Sequence, residues 1–156
     1  MIDSHIIASL DGLAWSEGLN SSPKTIVVLV ADLLPAAERL FNNSNCFFDQ
    51  LSCVTGIDNG PEAKTMEVIY HLYSIPFNLS VALKVVLDRD NPRVPTLSSI
   101  WKSANWLERE TFDMFGIIFE NHPDPRRILM PADWEGYPLR KDYKEQETYR
   151  EVQVKY

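Results

Sequence analysis

Two short turn signals divide residues 46–88 into three strand-like runs, and they constrain the fold more than any other feature of the chain. Asp58-Asn59-Gly60-Pro61 joins side chains that bond their own backbone to a glycine free of Cβ strain and a proline that cannot feed a ladder, which is turn chemistry. Pro76-Phe77-Asn78 turns the chain again. Residues 46–57 form the first run. Residues 64–75 alternate around Met66, Val68, Tyr70 and Leu72, and residues 79–88 set Val81, Leu83, Val85 and Leu87 on one face; period-two alternation is the mark of a half-buried strand. Runs joined by turns this short are antiparallel neighbours, because a parallel link needs a crossover of about a dozen residues or more. Whatever else the chain does must be built around that meander.

The flanks supply helices. Residues 24–31 are β-branched and uncharged between Lys24 and Asp32, the pattern of a buried strand. Asp32 is a candidate N-cap with Pro35 in the first turn, and Leu34, Ala37, Leu40 and Phe41 carry a helix into the cluster at 42–45. Ile2, Ile6, Leu10 and Leu13 predict an N-terminal helix over 2–15, followed by a loop at 20–23. After the Pro-rich connection at 90–95, Thr96 or Ser98 caps a helix that runs to about Phe115 on Ile100, Ala104, Leu107, Thr111 and Met114 or Phe115, with Gly116 as its C-terminal stop. The predicted class is α+β: a mixed or antiparallel sheet with helices on one face.

After Gly116 the composition changes. Pro123, Pro125, Pro131 and Pro138 punctuate 41 residues that hold only seven Ile, Leu or Val, too few to build a core. The expected division is an α+β domain over 1–115 and an extended Pro-rich C-terminal arm over 116–156, lying over that domain or on another protein. Charge divides similarly. The net charge is −7; residues 1–115 hold eight Lys and Arg against fourteen Asp and Glu, whereas residues 116–156 hold seven against eight. An acidic chain is a poor match for phosphate backbones or an anionic lipid surface, so no nucleic-acid partner is expected, and membrane association is expected only through partners.

The two cysteines, Cys46 and Cys53, fall seven residues apart in one predicted strand, beyond disulfide reach. Without a Cys-x-x-Cys, a cluster or structural zinc held by this chain alone is not expected. The longest apolar run, 25–31, is too short to span a bilayer, and the N-terminus lacks the basic start of a secretory signal.

Candidate chemistry concentrates late in the chain. Glu108-Arg109-Glu110 and Asp113 end the last predicted helix, with Arg109 and Asp113 four apart on one face. Two carboxylates beside an arginine can act as an acid/base pair, but such a pair needs a nucleophile or electrophile close by, and none is evident; a salt-bridge network at the helix end is the plainer reading. His122 is a candidate ligand or a hydrogen-bonded loop histidine, and no second histidine is spaced to join it. The doublets Arg126-Arg127 and Arg140-Lys141 can hold phosphate or pair with carboxylates of this chain or a partner. Trp101, Trp106, Trp134, Phe112, Phe115, Tyr137 and Tyr143 give this third of the chain an interface composition, or else pin the arm to its own domain.

Residues 106–143 resemble the signature of the thirty-kilodalton subunit family of the proton-pumping NADH:quinone oxidoreductase (respiratory complex I). The pattern stands here as Glu108-Arg109-Glu110, Asp113, Met114-Phe115, His122, Arg126 and Ile128-Leu129, and closes on Gly136-Tyr137-Pro138-Leu139-Arg140-Lys141-Asp142-Tyr143, with Tyr137 where many members have His. The resemblance implies a non-catalytic scaffold subunit in the hydrophilic arm. It implies contact with the quinone-site large subunit and the iron–sulfur subunits. The FMN and iron–sulfur clusters reside in partner subunits, and no cofactor is expected on this chain. The resemblance marks Glu108, Arg109, Glu110, Asp113, His122, Arg126, Arg127, Arg140, Lys141, Asp142 and Tyr143 as signature residues at the interface with other subunits. The implied location is peripheral, on the cytoplasmic side of the bacterial inner membrane. The equivalent subunit of a membrane-bound hydrogenase, or of a ferredoxin- or F420-linked oxidoreductase, is the alternative.

Overall fold

The computed structural model describes residues 2–18 and 22–154. Asp3 accepts the His5 N–H at 2.8 Å and opens α1 (Ser4–Ser9). The helix is shorter than the expected 2–15, because the chain turns through Gly12 at φ +75° and Trp15 enters a strand, β1 (Trp15–Glu17). Residues 20 and 21 of the expected loop lie outside the described residues. β2 (Lys24–Val28) stops short of Ala31, since Leu29 already occupies the N-cap position of α2 (Val30–Asn42). Asp32 therefore lies in the first turn, where its charge suits the helix N-terminus, and Pro35 falls inside the helix.

The meander follows as β3 (Gln50–Asp58), β4 (Thr65–Ser74) and β5 (Leu79–Asp88). The sheet order is β1-β2-β5-β4-β3, and it is mixed because β2 runs parallel to β5 while the other pairs are antiparallel. Register aligns Met66, Val68, Tyr70 and Leu72 with Leu87, Val85, Leu83 and Val81, and all eight are buried. Leu33, Ala36, Ala37 and Leu40 of α2 join the same core. Each such aliphatic side chain contributes about 1.5–3 kcal/mol by leaving water. The alternate residues Glu67, Ile69, His71 and Tyr73 are only half-buried, so one face of the sheet carries the core.

Two expectations about β3 need correction. The strand begins at Gln50, because residues 46–49 close the end of α2, where the Phe48 N–H bonds the Leu40 carbonyl at 3.1 Å. The cysteines therefore do not share a strand: Cys46 is buried ahead of β3 and Cys53 exposed within it, both as free thiols.

β6 (Arg93–Pro95) leads into turns at 97–103, and only then into α3 (Ala104–Phe115). Neither Thr96 nor Ser98 caps that helix; the position falls to Ser103, and Thr96 has another partner, described below. α3 covers the outer edge of β3, where the Ser103 hydroxyl donates to Leu51 O at 3.0 Å and the Thr111 hydroxyl lies 3.4 Å from Val54 O. Edge carbonyls satisfied in this way are closed to stray pairing.

Gly116 ends α3 in the left-handed region at φ +74°, and its N–H bonds Phe112 O at 2.7 Å. The chain then pairs β7 (Ile118–Glu120) parallel to β6, with Ile117 and Phe119 in the core. The segment expected to be too poor in aliphatic residues to build a core of its own thus lends two residues to the domain's core, because the α3 crossover returns the chain alongside a strand that was not foreseen. Residues 121–147 hold turns without helix or strand, and a small hairpin, β8 (Thr148–Tyr149) and β9 (Val152–Gln153), follows. No helix among the described residues is long and apolar enough to cross a membrane.

A Cβ at Gly116 would come within 2.5 Å of the Tyr137 ring, whereas one at Gly12, also at positive φ, would meet nothing within 4 Å. Gly116→Ala is expected to cost roughly 2–4 kcal/mol by adding overpacking to backbone strain, and Gly12→Ala roughly 1 kcal/mol from strain alone. Denaturant unfolding of both variants checks this; equal losses would mean that Tyr137 does not pack on Gly116.

Candidate functional site

Helix periodicity gives α3 two buried polar faces. One carries Glu108 and Thr111 toward β3 and β6; the other turns Arg109 and Asp113 toward residues 124–130. All four are buried, Glu108 and Asp113 completely.

Asp113 is the most heavily bonded. Its Oδ2 accepts the N–H groups of Ile128, Leu129 and Met130 at 3.0, 2.7 and 2.8 Å, and its Oδ1 takes Arg127 Nη1 at 2.8 Å. Burial pushes this carboxyl up. The Met130 N–H, the Arg127 guanidinium and the Ile128 and Leu129 N–H groups more than offset that, and hold it below the usual carboxylate range. The carboxylate gathers three consecutive amides and thereby fixes the backbone of 128–130.

One helical turn earlier, Arg109 donates from Nε to Arg126 O at 3.0 Å and from Nη2 to Arg127 O at 3.2 Å, with Asp124 at 3.3 Å from Nη1. Its guanidinium also stacks on Trp106, 5.1 Å from the ring centre. The expected pairing within the helix is thus replaced: Arg109 and Asp113 each reach the following segment. Tyr137 is flanked by the guanidiniums of Arg127 and Arg140 at 5.1 and 5.0 Å, and Arg140 Nε donates to Phe115 O at 2.6 Å.

A second lock lies at the end of β3. Arg89 bonds Asp58 through Nε at 2.7 Å and Nη2 at 2.9 Å, and reaches Asp142 at 2.6 Å. Asp58 also accepts the Lys141 N–H at 2.8 Å. The Arg89 guanidinium leads the causes that hold the Asp58 carboxyl far below its usual range, against the effect of burial. The Lys141 ammonium lies 3.5 Å from Asn59 O, and the Tyr143 hydroxyl receives Trp134 Nε1 at 3.1 Å.

Glu108 pairs with no lysine or arginine among the described residues. Its Oε1 accepts the Leu97 N–H at 2.8 Å, and its Oε2 receives the Thr96 hydroxyl. His122 Nε2 lies 3.8 Å from Glu108 but 3.0 Å from Asn105 O, and Nδ1 accepts the Asp124 N–H at 3.0 Å. A carbonyl only accepts, so the ring carries a hydrogen on Nε2. Burial raises the Glu108 carboxyl from 4.5 to about 7, against the Thr96 and Leu97 hydrogen bonds. The Tyr70 hydroxyl, fully buried with no partner among the described residues, is pushed up by burial and by Glu108.

The acid/base reading of Glu110, Asp113 and His122 gains no support from these positions. Asp113 is wrapped in donors, His122 faces Glu108, and Glu110 is exposed with no partner among the described residues. Arg126 chelates Asp124 at the surface, and Arg127 pairs with Asp113. Among the described residues no group of three or more His, Cys, Asp or Glu is placed to hold a metal ion. Asp58, Arg89, Asp124 and Tyr70 were missed from sequence. Asp58 was marked only as a turn residue and Tyr70 only as an alternating strand position, and neither signal pointed to a buried ion pair or an unpartnered hydroxyl.

Because the Glu108 proton is held more tightly in the folded chain, its contribution to stability is full below about pH 4.5 and lost as pH rises through about 7. Glu108→Gln mimics the protonated acid. It should gain on the natural chain by up to about 3 kcal/mol between pH 5 and pH 8, as read from unfolding curves at the two pH values; a difference independent of pH would contradict the assignment.

Residues 26–149 match the family described as "Respiratory-chain NADH dehydrogenase, 30 Kd subunit". A subunit of the NADH-quinone oxidoreductase of Chloroherpeton thalassium is 46% identical over 110 residues, covering 70% of this chain and 45% of that protein. Its counterpart in Chlorobium phaeobacteroides is 46% identical over 110 residues, covering 70% and 66%. This chain therefore spans less than half the length of the first relative and about two thirds of the second. Among solved structures, a trypsin-resistant fragment (1–134) of Nqo5 superposes with a TM-score of 0.59 at 29% identity, over 70% of this chain and 89% of that one. A chain of the membrane-bound sulfane sulfur reductase, an archaeal respiratory membrane complex, shares the fold with a TM-score of 0.74 at 22% identity, over 89% and 83%. With a family match over most of its length and relatives at this identity, the chain belongs to the 30 kDa subunit family of the respiratory-chain NADH dehydrogenase.

Proposed function

We propose that this chain is the thirty-kilodalton-type subunit of a proton-translocating NADH:quinone oxidoreductase and serves its hydrophilic arm as a non-catalytic scaffold. In this reading electrons pass from NADH through FMN and iron–sulfur clusters to quinone in other subunits. The chain contacts the quinone-site large subunit and the iron–sulfur subunits, and is held through them at the cytoplasmic side of the bacterial inner membrane. The arm expected over 116–156 serves as a Pro-rich strap against those neighbours, anchored to the domain at 1–115 through β7. The observation that carries the reading is the use made of the signature. Arg109, Asp113 and Arg127 bond the strap's backbone or one another, and Arg140 and Asp142 tie the strap back to the Phe115 carbonyl and to Arg89, so their chemistry goes into shape. Trp106, Leu129 and Leu139 are left 62%, 61% and 54% exposed, and Glu110 is exposed too, as residues awaiting contact are.

A second reading keeps the scaffold in a related membrane complex, a hydrogenase or a ferredoxin- or F420-linked oxidoreductase. The fold shared with a chain of the sulfane sulfur reductase complex favours it only at the level of fold. Neighbouring reading frames separate the two: flavin and NADH-binding subunits favour the first, a nickel-binding large subunit the second.

Mass spectrometry of the oxidoreductase purified from native membranes should find the chain in stoichiometric amount, and its absence would sink the proposal. Arg109→Ala removes donors from two strap carbonyls and leaves them unpaired at a cost of about 1–3 kcal/mol each. The variant should co-purify in reduced yield, with the flavin and iron–sulfur signals of the enzyme that does assemble unchanged; undiminished yield would count against the strap.

A further inference from the structure

The outer side of α3 and residues 125–132 enclose an open groove of about 730 Å³. Phe112, Pro125 and Ile128 give it an apolar lining, and Trp106, 62% exposed, forms one wall. Three arginines line it, Arg109, Arg126 and Arg127, and no acidic residue among the described residues does. The acids that pair with them lie outside the groove: Asp113 is buried beneath Arg127, and Asp124 meets Arg109 and Arg126 from beyond Trp106, in an adjoining recess that also holds Lys102. A groove whose charged lining residues are all arginines is out of keeping with a chain of net charge −7, so its sign is a local property. Arg126 has its side chain 79% exposed and spends Nε and Nη2 on Asp124, which leaves Nη1 with no partner among the described residues. Tryptophan with arginine around an apolar floor is the make-up of an energetic centre in protein–protein contacts.

We propose that this groove seats an acidic segment of another protein chain, with one apolar or aromatic side chain packed on Trp106 and carboxylates bonded by Arg126 and its neighbours. The inference rests on the reading of the chain as a subunit and names the chemistry of one partner segment. An anionic lipid headgroup shares the charge, but offers nothing for the apolar floor or for the flat face of the indole.

The test introduces the photoreactive residue p-benzoyl-phenylalanine at position 106 of the full chain, in its native membranes. After irradiation the assembly is purified and the cross-linked peptides are sequenced. Position 132, exposed on the same groove, is a second site for the probe in case a change at 106 disturbs folding. The expected product joins this chain to a different subunit at a segment rich in Asp or Glu, and Arg126→Glu lowers its yield about tenfold while Arg126→Lys keeps most of it. Cross-links only to this chain itself, to lipid, or to a segment without acidic residues overturn the inference and leave the subunit reading intact, provided the chain co-purifies. Absence of the chain from the assembly overturns both.

Discussion

The carboxylate of Asp113 is the interaction on which the rest of the chain's course depends. It is fully buried, yet it stays charged because three consecutive amides and one guanidinium converge on it. Buried charge is costly unless it is bonded on all sides, and here the bonding also shapes the chain. A segment too poor in aliphatic residues to fold by burial is held by a point charge in place of a hydrophobic core. The neighbouring geometry follows: Arg127 is drawn inward, its guanidinium meets Tyr137, and Tyr137 closes over Gly116.

The second lock, Asp58–Arg89–Asp142, works on the same principle some distance along the segment. Together the two fix residues 127–130 to the C-terminal end of α3 and residues 141–142 to that of β3, and Arg140 bonds the helix terminus. Ordering a residue costs about 1–2 kcal/mol of backbone entropy, so a handful of charge-assisted bonds at about 1.5–3 kcal/mol each is enough to hold short stretches and leave the intervening ones exposed. This division matches a scaffold that must keep its shape and still present contact surface.

The meander was legible because period-two alternation and two turn signals leave few alternatives; β5 in particular runs over the same residues that the alternation marks. The parallel β6–β7 pair was not legible, since three-residue strands carry too little pattern and their pairing depends on a crossover formed by α3. The start of α3 was misplaced because Thr96 does accept an N–H as a cap would, that of Ser98, but it opens turns that run to 103 before the helix begins at Ala104. The hardest residues to foresee were Glu108 and Asp113. A buried carboxylate and a solvated one are the same letter, and only the partners that arrive from residues 96–97 and 127–130 distinguish them. The family resemblance marked these positions as a group, but gave neither their burial nor their donors.

Amide hydrogen exchange in the isolated chain tests the central claim most directly. If Asp113 anchors the segment, the N–H groups of Ile128, Leu129 and Met130 exchange nearly as slowly as those of α3, although these residues lie in turns on the surface, and Asp113→Asn releases all three together. Exchange at those three amides as fast as at the exposed residues 144–147 would contradict the account.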